Sequence, residues 1–245
     1  MRLFSPHPPQ PPPGPFPDCN CINFNGRRHP RLAPRLHLEE QDTSCAAWRH
    51  VVQRVDEAAE GGETVFSPLE GLDGPGRAQI RTLPKSVAKL VTVRELKLYG
   101  SHLSRLPPEI GAMTALRYLD VYRSICLHFF PYELTRCMNL RDSRVSTRAI
   151  YGNYKFRAPF PFLGKTGTEV PIDAVPSVCS VCSQPFGEAS PKRRWITLRL
   201  GTDDLPLFVC ACSESCVEGL PPPAAGYIEK PHLGGRRIQQ PAGRH

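Results

Sequence analysis

Apolar positions between Leu83 and Val145 recur with a period of 23 to 24 residues. Leu83-Pro84, Leu106-Pro107 and Phe130-Pro131 mark equivalent points. The same shift carries Val93 onto Leu116 and Leu140, Leu96 onto Leu119 and Ser143, and Leu98 onto Val121 and Val145. Apolar and polar residues alternate within each unit, which predicts a short strand followed by a turn and a poor helix. One such unit cannot cover its own apolar face, so neighbours stack and share a core. Upstream, Trp48, Val51, Val52, Val55 and Ala59 form a stripe with helical spacing. The pattern predicts a helix opened by Thr43 or Ser44 and ended by Gly61-Gly62. Between helix and repeats, Val65, Phe66 and Leu69 supply an irregular first unit, DGPGR (73–77) makes a turn, and Ile80 and Leu83 set the register.

The repeated stretches VRELKLYGSHL, LRYLDVYRSIC and LRDSRVSTRAI resemble the L-x-x-L-x-L-x-x-N-x-L signature of the leucine-rich repeat family. LPPEIG (106–111) is similar to the linker of its intracellular L-P-x-x-I class. The whole chain looks like small bacterial leucine-rich repeat proteins. The usual asparagine is Ser101, Ser124 and Arg148 in the three units, and serine can bond to backbone in the same way. Ser143 stands where a core leucine belongs, so the third unit is expected to open into a cap. The resemblance implies an α/β solenoid, a short leucine-rich repeat stack with an N-terminal capping helix, and the cysteine spacing between 179 and 216 adds a small zinc-stabilised α+β module. The segments expected are a disordered Pro/Arg-rich tail over 1–41, the capping helix over 42–62, repeats and C-terminal cap over 63–165, a zinc-finger-like module over 173–232, and a flexible tail over 233–245.

Alternation along a strand sends Leu96 and Leu98 inward and Glu95, Lys97 and Tyr99 to the concave face. The next unit offers Tyr118, Asp120 and Tyr122, and the third offers Asp142 and Arg144 with Ser146. Lys97, Asp120 and Arg144 then make a column of alternating sign beside Tyr99 and Tyr122. This column either neutralises itself on a wet surface or flanks an aromatic anchor for a partner. Leucine-rich repeat proteins usually bind on this face, and its small size suits a peptide or one protein edge.

Cysteines change the picture most. Among ten in the chain, Cys179-x2-Cys182 forms a knuckle, WITLRLG (195–201) and LPLFVCA (205–211) read as a hairpin turning at Asp203-Asp204, and Cys212-x3-Cys216 follows. Ser213 can cap a short helix there. Knuckle, hairpin and ligands at a helix start resemble a treble-clef zinc finger. Four thiolates, Cys179, Cys182, Cys212 and Cys216, satisfy zinc and leave no open position. Cys210 lies two residues from Cys212 and is an alternative third ligand. Cys45, Cys126 and Cys137 read as packing residues, and the Cys19/Cys21 pair lies in the tail.

Composition excludes more than it selects. Twenty-eight prolines and nineteen glycines favour turns over long helices, and PHPPQPPPGPFP favours extended polyproline conformation. No apolar run approaches a membrane span. The N-terminal residues lack the apolar centre of a secretory signal, which with metal-like cysteine spacing predicts a cytoplasmic protein. The net charge of +8 permits an acidic or nucleic-acid partner. STRAIYGNYKFRAPFPFL (146–163) mixes Arg148, Tyr151, Tyr154, Lys155, Arg157, Phe160 and Phe162, which suits either a cap over the last repeat or a grip on single-stranded nucleic acid.

No P-loop, G-x-G-x-x-G, H-E-x-x-H or G-x-S-x-G occurs. The expected function is a non-catalytic, monomeric interaction protein that takes a protein or peptide on its concave face. The alternative is nucleic-acid binding through Lys192, Arg193, Arg194 and Arg199 of the finger.

Overall fold

The computed structural model describes residues 36–147, 149–153, 159–164, 170–188 and 190–242. The polyproline run, Cys19, Cys21, Arg148, Tyr154, Lys155 and Arg157 lie outside them, as do most of the expected tail over 1–41 and the last three residues of the chain.

Helix α1 (Ala46–Glu60) begins at Cys45, whose sulfur accepts the Trp48 N–H at 3.3 Å. Cys45 thus caps the helix as well as packing, and Ser44 instead bonds to Asp42. The buried face is Ala47, Val51, Val55 and Ala58, rotated from the expected stripe, with Trp48 and Ala59 at its margin. The DGPGR segment is not a simple turn. Asp73 caps a five-residue helix, α2 (Gly74–Ala78), by accepting the Gly76 N–H at 2.7 Å.

Four short strands, β1 (Val65–Phe66), β2 (Glu95–Lys97), β3 (Tyr118–Val121) and β5 (Asp142–Val145), form a parallel sheet in that order. Leu96 pairs with Leu119 and Leu119 with Ser143, while Val121 pairs with Val145. Prolines 84, 107 and 131 each lead into a five-residue 3-10 turn: Lys85–Lys89, Pro108–Ala112 and Tyr132–Arg136. These turns pack in series. Val87, Ile110 and Leu134 are their buried anchors. Gly111 permits the close stacking, since a β-carbon there would meet the Glu133 carbonyl oxygen at 2.6 Å. Ser101 and Ser124 are buried and share a hydrogen bond of 2.8 Å, and Ser124 Oγ donates to the Leu98 carbonyl at 2.9 Å.

The expected fold class, an α/β solenoid carrying a separate zinc-stabilised module, is not what the chain forms. The sheets are a mixed parallel and antiparallel set with few helices. Strand β4 (Phe130–Pro131) leaves the parallel sheet and pairs in parallel with β7 (Asp203–Ala211), which pairs antiparallel with β6 (Lys192–Leu200). One apolar core runs from α1 through the parallel sheet into this hairpin, from Ala47 to Val217. The physical reason lies at the third unit. Ser143 puts a hydroxyl where Leu96 and Leu119 bury methyl groups, and the hairpin tip docks on it. Its hydroxyl donates to Asp203 Oδ2 at 2.7 Å, and Thr202 Oγ1 donates to its carbonyl at 2.8 Å.

The hairpin turns at Gly201-Thr202 rather than at Asp203-Asp204, which lie in β7. Gly201 has φ +59°, and a β-carbon there would meet Ser143 Oγ at 2.9 Å. A second cluster packs Phe129, Tyr151, Phe160, Trp195, Phe208 and Cys210 across the seam. The C-terminal segment is held as well: Trp195 and His232 exchange two backbone hydrogen bonds along the free edge of β6, at 2.8 and 3.0 Å. Among the described residues no helix is long and apolar enough to cross a membrane.

Candidate metal centre and the exposed sheet face

The sulfurs of Cys179, Cys182, Cys212 and Cys216 all lie within 4.8 Å of one another, so these residues could hold a metal ion. Cys212 Sγ is 3.6 Å from both Cys182 Sγ and Cys216 Sγ. Four sulfurs at about 2.3 Å from a central ion are about 3.8 Å apart in a tetrahedron, so the cluster fits one ion with little adjustment. Two local devices place them. The knuckle closes because Cys179 N donates to the Gln184 carbonyl at 2.8 Å and Ser183 N to the Cys179 carbonyl at 3.0 Å, with Ser183 at φ +61°. Cys212 follows the end of β7, and Cys216 sits in the first turn of α3 (Glu214–Glu218), where Ser213 Oγ accepts its N–H at 3.2 Å.

Cys210 is not part of the cluster. It is fully buried beside Trp195 and Phe208, and burial pushes its thiol up to about 12. Strand alternation puts Cys210 and Cys212 on one face only if the strand continues, and it stops at Ala211.

Burial alone would raise the Cys179 thiol, but backbone N–H groups of Cys182, Val181 and Cys212 outweigh it and bring the pKa down to about 6. Cys212 goes the other way, up to about 12, because Cys216, Cys182 and Cys179 crowd sulfur around it. Such a split is the signature of thiols sharing protons, which a cation would displace on binding.

The knuckle is also tied down from outside, by residues the spacing gave no hint of. Ser180 N donates to the Cys210 carbonyl at 2.8 Å, and Ser180 Oγ accepts the Cys210 N–H at 3.0 Å. Arg136, from the third 3-10 turn, donates to the Ser180 carbonyl at 3.1 Å and to Ser183 Oγ at 3.2 Å. Glu133 is buried behind them, its pKa raised by burial against a hydrogen bond from Ser180. Nothing about Glu133 or Arg136 in the sequence marks them, since their partners lie more than 40 residues away.

On the parallel sheet, Glu95, Lys97, Tyr118 and Asp142 are exposed or half-buried, and Leu96 and Leu98 point into the core. The alternating charge column resolves differently from the simple stacking. Lys97 pairs with Glu95 on its own strand at 3.3 Å, and Arg144 pairs with Asp120 at 3.6 Å. Asp120 is 92% buried by its neighbours' cover, being only 8% exposed, and also accepts the Tyr122 N–H at 3.0 Å. Tyr99 and Tyr122, 46% and 40% exposed, lie 6.2 Å apart between ring centroids. The Arg144 guanidinium covers both, 5.6 and 4.6 Å from their centres.

Two of the four basic residues of the hairpin are held in close ion pairs. Arg194 binds Glu214 at 3.0 and 3.1 Å, and Arg199 forms a fork on Asp204 at 2.6 and 2.9 Å. No protein-family model matches this chain, and no curated protein is significantly similar to it.

Proposed function

We propose that this chain is a non-catalytic interaction protein that binds a peptide or protein edge on the sheet face of Glu95, Lys97, Tyr99, Tyr118, Asp120, Tyr122, Asp142 and Arg144, and that zinc staples its C-terminal half. The observation that carries the reading is the Tyr99–Tyr122 pair. Two large aromatic rings stand exposed side by side, fixed in place by Arg144. Exposed, rigid tyrosines are characteristic anchors of protein interfaces. The leucine-rich repeat resemblance points to the same face. Zinc suits the cluster because four thiolates complete its tetrahedron, and that closed set leaves no position for substrate or water. The hairpin is less suited to nucleic acid than its sequence suggests, because Glu214 and Asp204 already neutralise Arg194 and Arg199.

An affinity capture with the wild-type chain against a Tyr99→Ala/Tyr122→Ala variant tests the reading. Proteins held by the wild type and lost with the variant would support it. An identical set on both would sink it. Metal analysis should return one zinc per chain, and the cobalt-substituted protein should show the spectrum of full thiolate coordination.

A further inference from the structure

The residue just ahead of each of β2, β3 and β5 is an arginine: Arg94, Arg117 and Arg141. Their backbones are successive rungs of one ladder. Arg117 and Tyr118 donate N–H to the Arg94 carbonyl at 2.7 and 3.0 Å, and Arg141 and Asp142 donate to the Arg117 carbonyl at 3.0 and 3.1 Å. Rungs of a parallel sheet are about 4.8 Å apart, so three guanidinium side chains start from one line along the leading ends of the strands. All three are exposed.

The column lies at the leading edge of the strands, and the charged residues of the adjoining sheet face are occupied. Lys97 is paired with Glu95, Arg144 with Asp120, and Arg123 donates to the Tyr99 hydroxyl at 3.5 Å. Among the described residues, Arg94, Arg117 and Arg141 have no ion pair and no side-chain hydrogen bond, and Asp142 makes no ion pair with the arginine beside it. Like charges on adjacent strands repel, and among the described residues no ion pair to these arginines offsets that repulsion. A carboxylate-bearing partner would, because each guanidinium fork matches a carboxylate in two parallel hydrogen bonds.

We propose that this column docks an acidic linear segment of a protein partner, laid across the strands with its carboxylates on Arg94, Arg117 and Arg141. The inference rests on the sheet face being the partner surface and adds the chemistry of what it takes. Two observations favour a peptide over a polynucleotide. Arg144 already lies over the Tyr99 and Tyr122 rings, occupying one face of each on which a base would otherwise stack. Glu95 and Asp142 also stand beside the column, where a phosphate at every step would meet them. A peptide can place carboxylates at the arginines alone.

The test is fluorescence anisotropy of a labelled peptide of alternating glutamate and serine titrated with the full chain. Wild type should bind, more weakly as salt is raised. The Arg94→Ser/Arg117→Ser/Arg141→Ser variant should lose about tenfold or more in affinity. A charge-matched control, Arg49→Ser/Lys85→Ser/Lys230→Ser, should change far less. Reversing the column to glutamate should abolish binding of this peptide and create binding to its lysine–serine counterpart, with the thermal midpoint retained. Equal losses in the variant and its control would overturn the proposal, as would tighter binding of oligothymidylate through the same arginines, or no binding by the wild type. The underlying reading fails separately. If protein capture depends on Tyr99 and Tyr122 but survives the arginine variant, the face stands and the acidic segment falls. If neither set of substitutions alters capture, both fall.

Discussion

The parallel sheet and the mixed sheet share one core but are held together in different ways. In the parallel sheet similar contacts repeat until Ser143 interrupts them: leucine on leucine from β2 to β3, serine on serine from Ser101 to Ser124, turn on turn behind them. No single contact there is unique, so removing one weakens its own rung and its neighbours. In the mixed sheet nothing recurs. Four sulfurs converge on one point, one tryptophan fills one aromatic nest, and one serine receives one turn. Damage in such a region is all-or-none at each centre. A periodic half should therefore lose stability in proportion to the methylenes removed, and an aperiodic half in steps.

The steepest step is expected at the four-cysteine cluster, which could hold a metal ion. Apparent binding free energies of structural zinc sites are on the order of 10 kcal/mol, more than any side chain contributes. Chelation, or Cys212→Ala, should therefore release the ion and melt the ends of β6 and β7 with α3. The paired strands β2 and β3 should keep their amide protection. Hydrogen exchange with and without chelator reads both halves at once. Uniform loss of protection would show that the two halves do not differ as argued, and an unchanged exchange pattern would remove the metal from the fold altogether.

Next comes the aromatic seam. Trp195 is fully buried, with Phe129, Phe208, Tyr151 and Phe160 at 5.4 to 5.7 Å between ring centroids, and its Nε1 donates to the Pro161 carbonyl at 2.8 Å. Trp195→Ala should cost about 3–5 kcal/mol in urea unfolding. Leu119→Ala, at the centre of the periodic sheet, costs about 2–5 kcal/mol by the same rule. The sharper difference is in reach. The tryptophan variant should loosen Phe160, Pro161 and the His232 edge together, whereas the leucine variant leaves them intact.

Acid should act on the seam before it acts on the repeats. Burial lowers His232 to about 4, and burial with the neighbouring His37 lowers His128 to about 3. His37 is itself lowered, mainly by burial. Folded values below the unfolded 6.5 mean that the unfolded chain binds more protons as pH falls. The stabilising contribution is complete above pH 6.5 and is lost on acidification, down to about 4 for His232 and about 3 for His128. Between pH 6.5 and 5 this amounts to at most about 2 kcal/mol per histidine, at about 1.4 kcal/mol per unit. Glu133 and Asp203, raised by burial, act in the opposite sense. Urea midpoints across this range, with metal content checked at each pH, should fall on acidification. His232→Asn should flatten part of the slope, and an unaltered slope would take His232 out of the account.

How much of this was legible follows from what repeats and what does not. The equivalence of Val93, Leu116 and Leu140 can be read because the same environment recurs, and it leads to the strand register. The four metal-site cysteines can be read because thiolate chemistry demands close spacing within each pair. The departure from a simple stack could not be read from periodicity. Phe130-Pro131 carries the same turn signal as Leu106-Pro107, yet it becomes a strand because Leu207 and Phe208, more than 70 residues on, offer it an edge. Arg105 is a second case. It sits 1% exposed, forked on Asp173 and bonded to the Glu39 carbonyl at 2.9 Å, and both partners are 66 to 68 residues away. An arginine in a loop reads as solvated until those partners are known. The pairing of Arg194 is hidden for the same reason, because Glu214 reaches it only through the folded module.

One local substitution separates the two halves most directly. Ser143→Leu restores the apolar residue that the repeat calls for. If the repeat alone governed that position, the variant would be more stable, since leucine at the same site in β2 and β3 is fully buried. The hairpin tip reverses the sign. Ser143 Oγ donates to Asp203 Oδ2 and also accepts the Thr202 N–H at 3.2 Å, while Gly201 packs so closely that even a β-carbon would reach the hydroxyl. A leucine there leaves a half-buried carboxylate without its donor and pushes on the turn. The balance should be a loss of about 1–3 kcal/mol. Ser143→Ala, which removes the hydroxyl without adding bulk, should cost about 1 kcal/mol. If Ser143→Leu instead raises the unfolding midpoint, the hairpin is an appendage resting on a stack that periodicity alone explains.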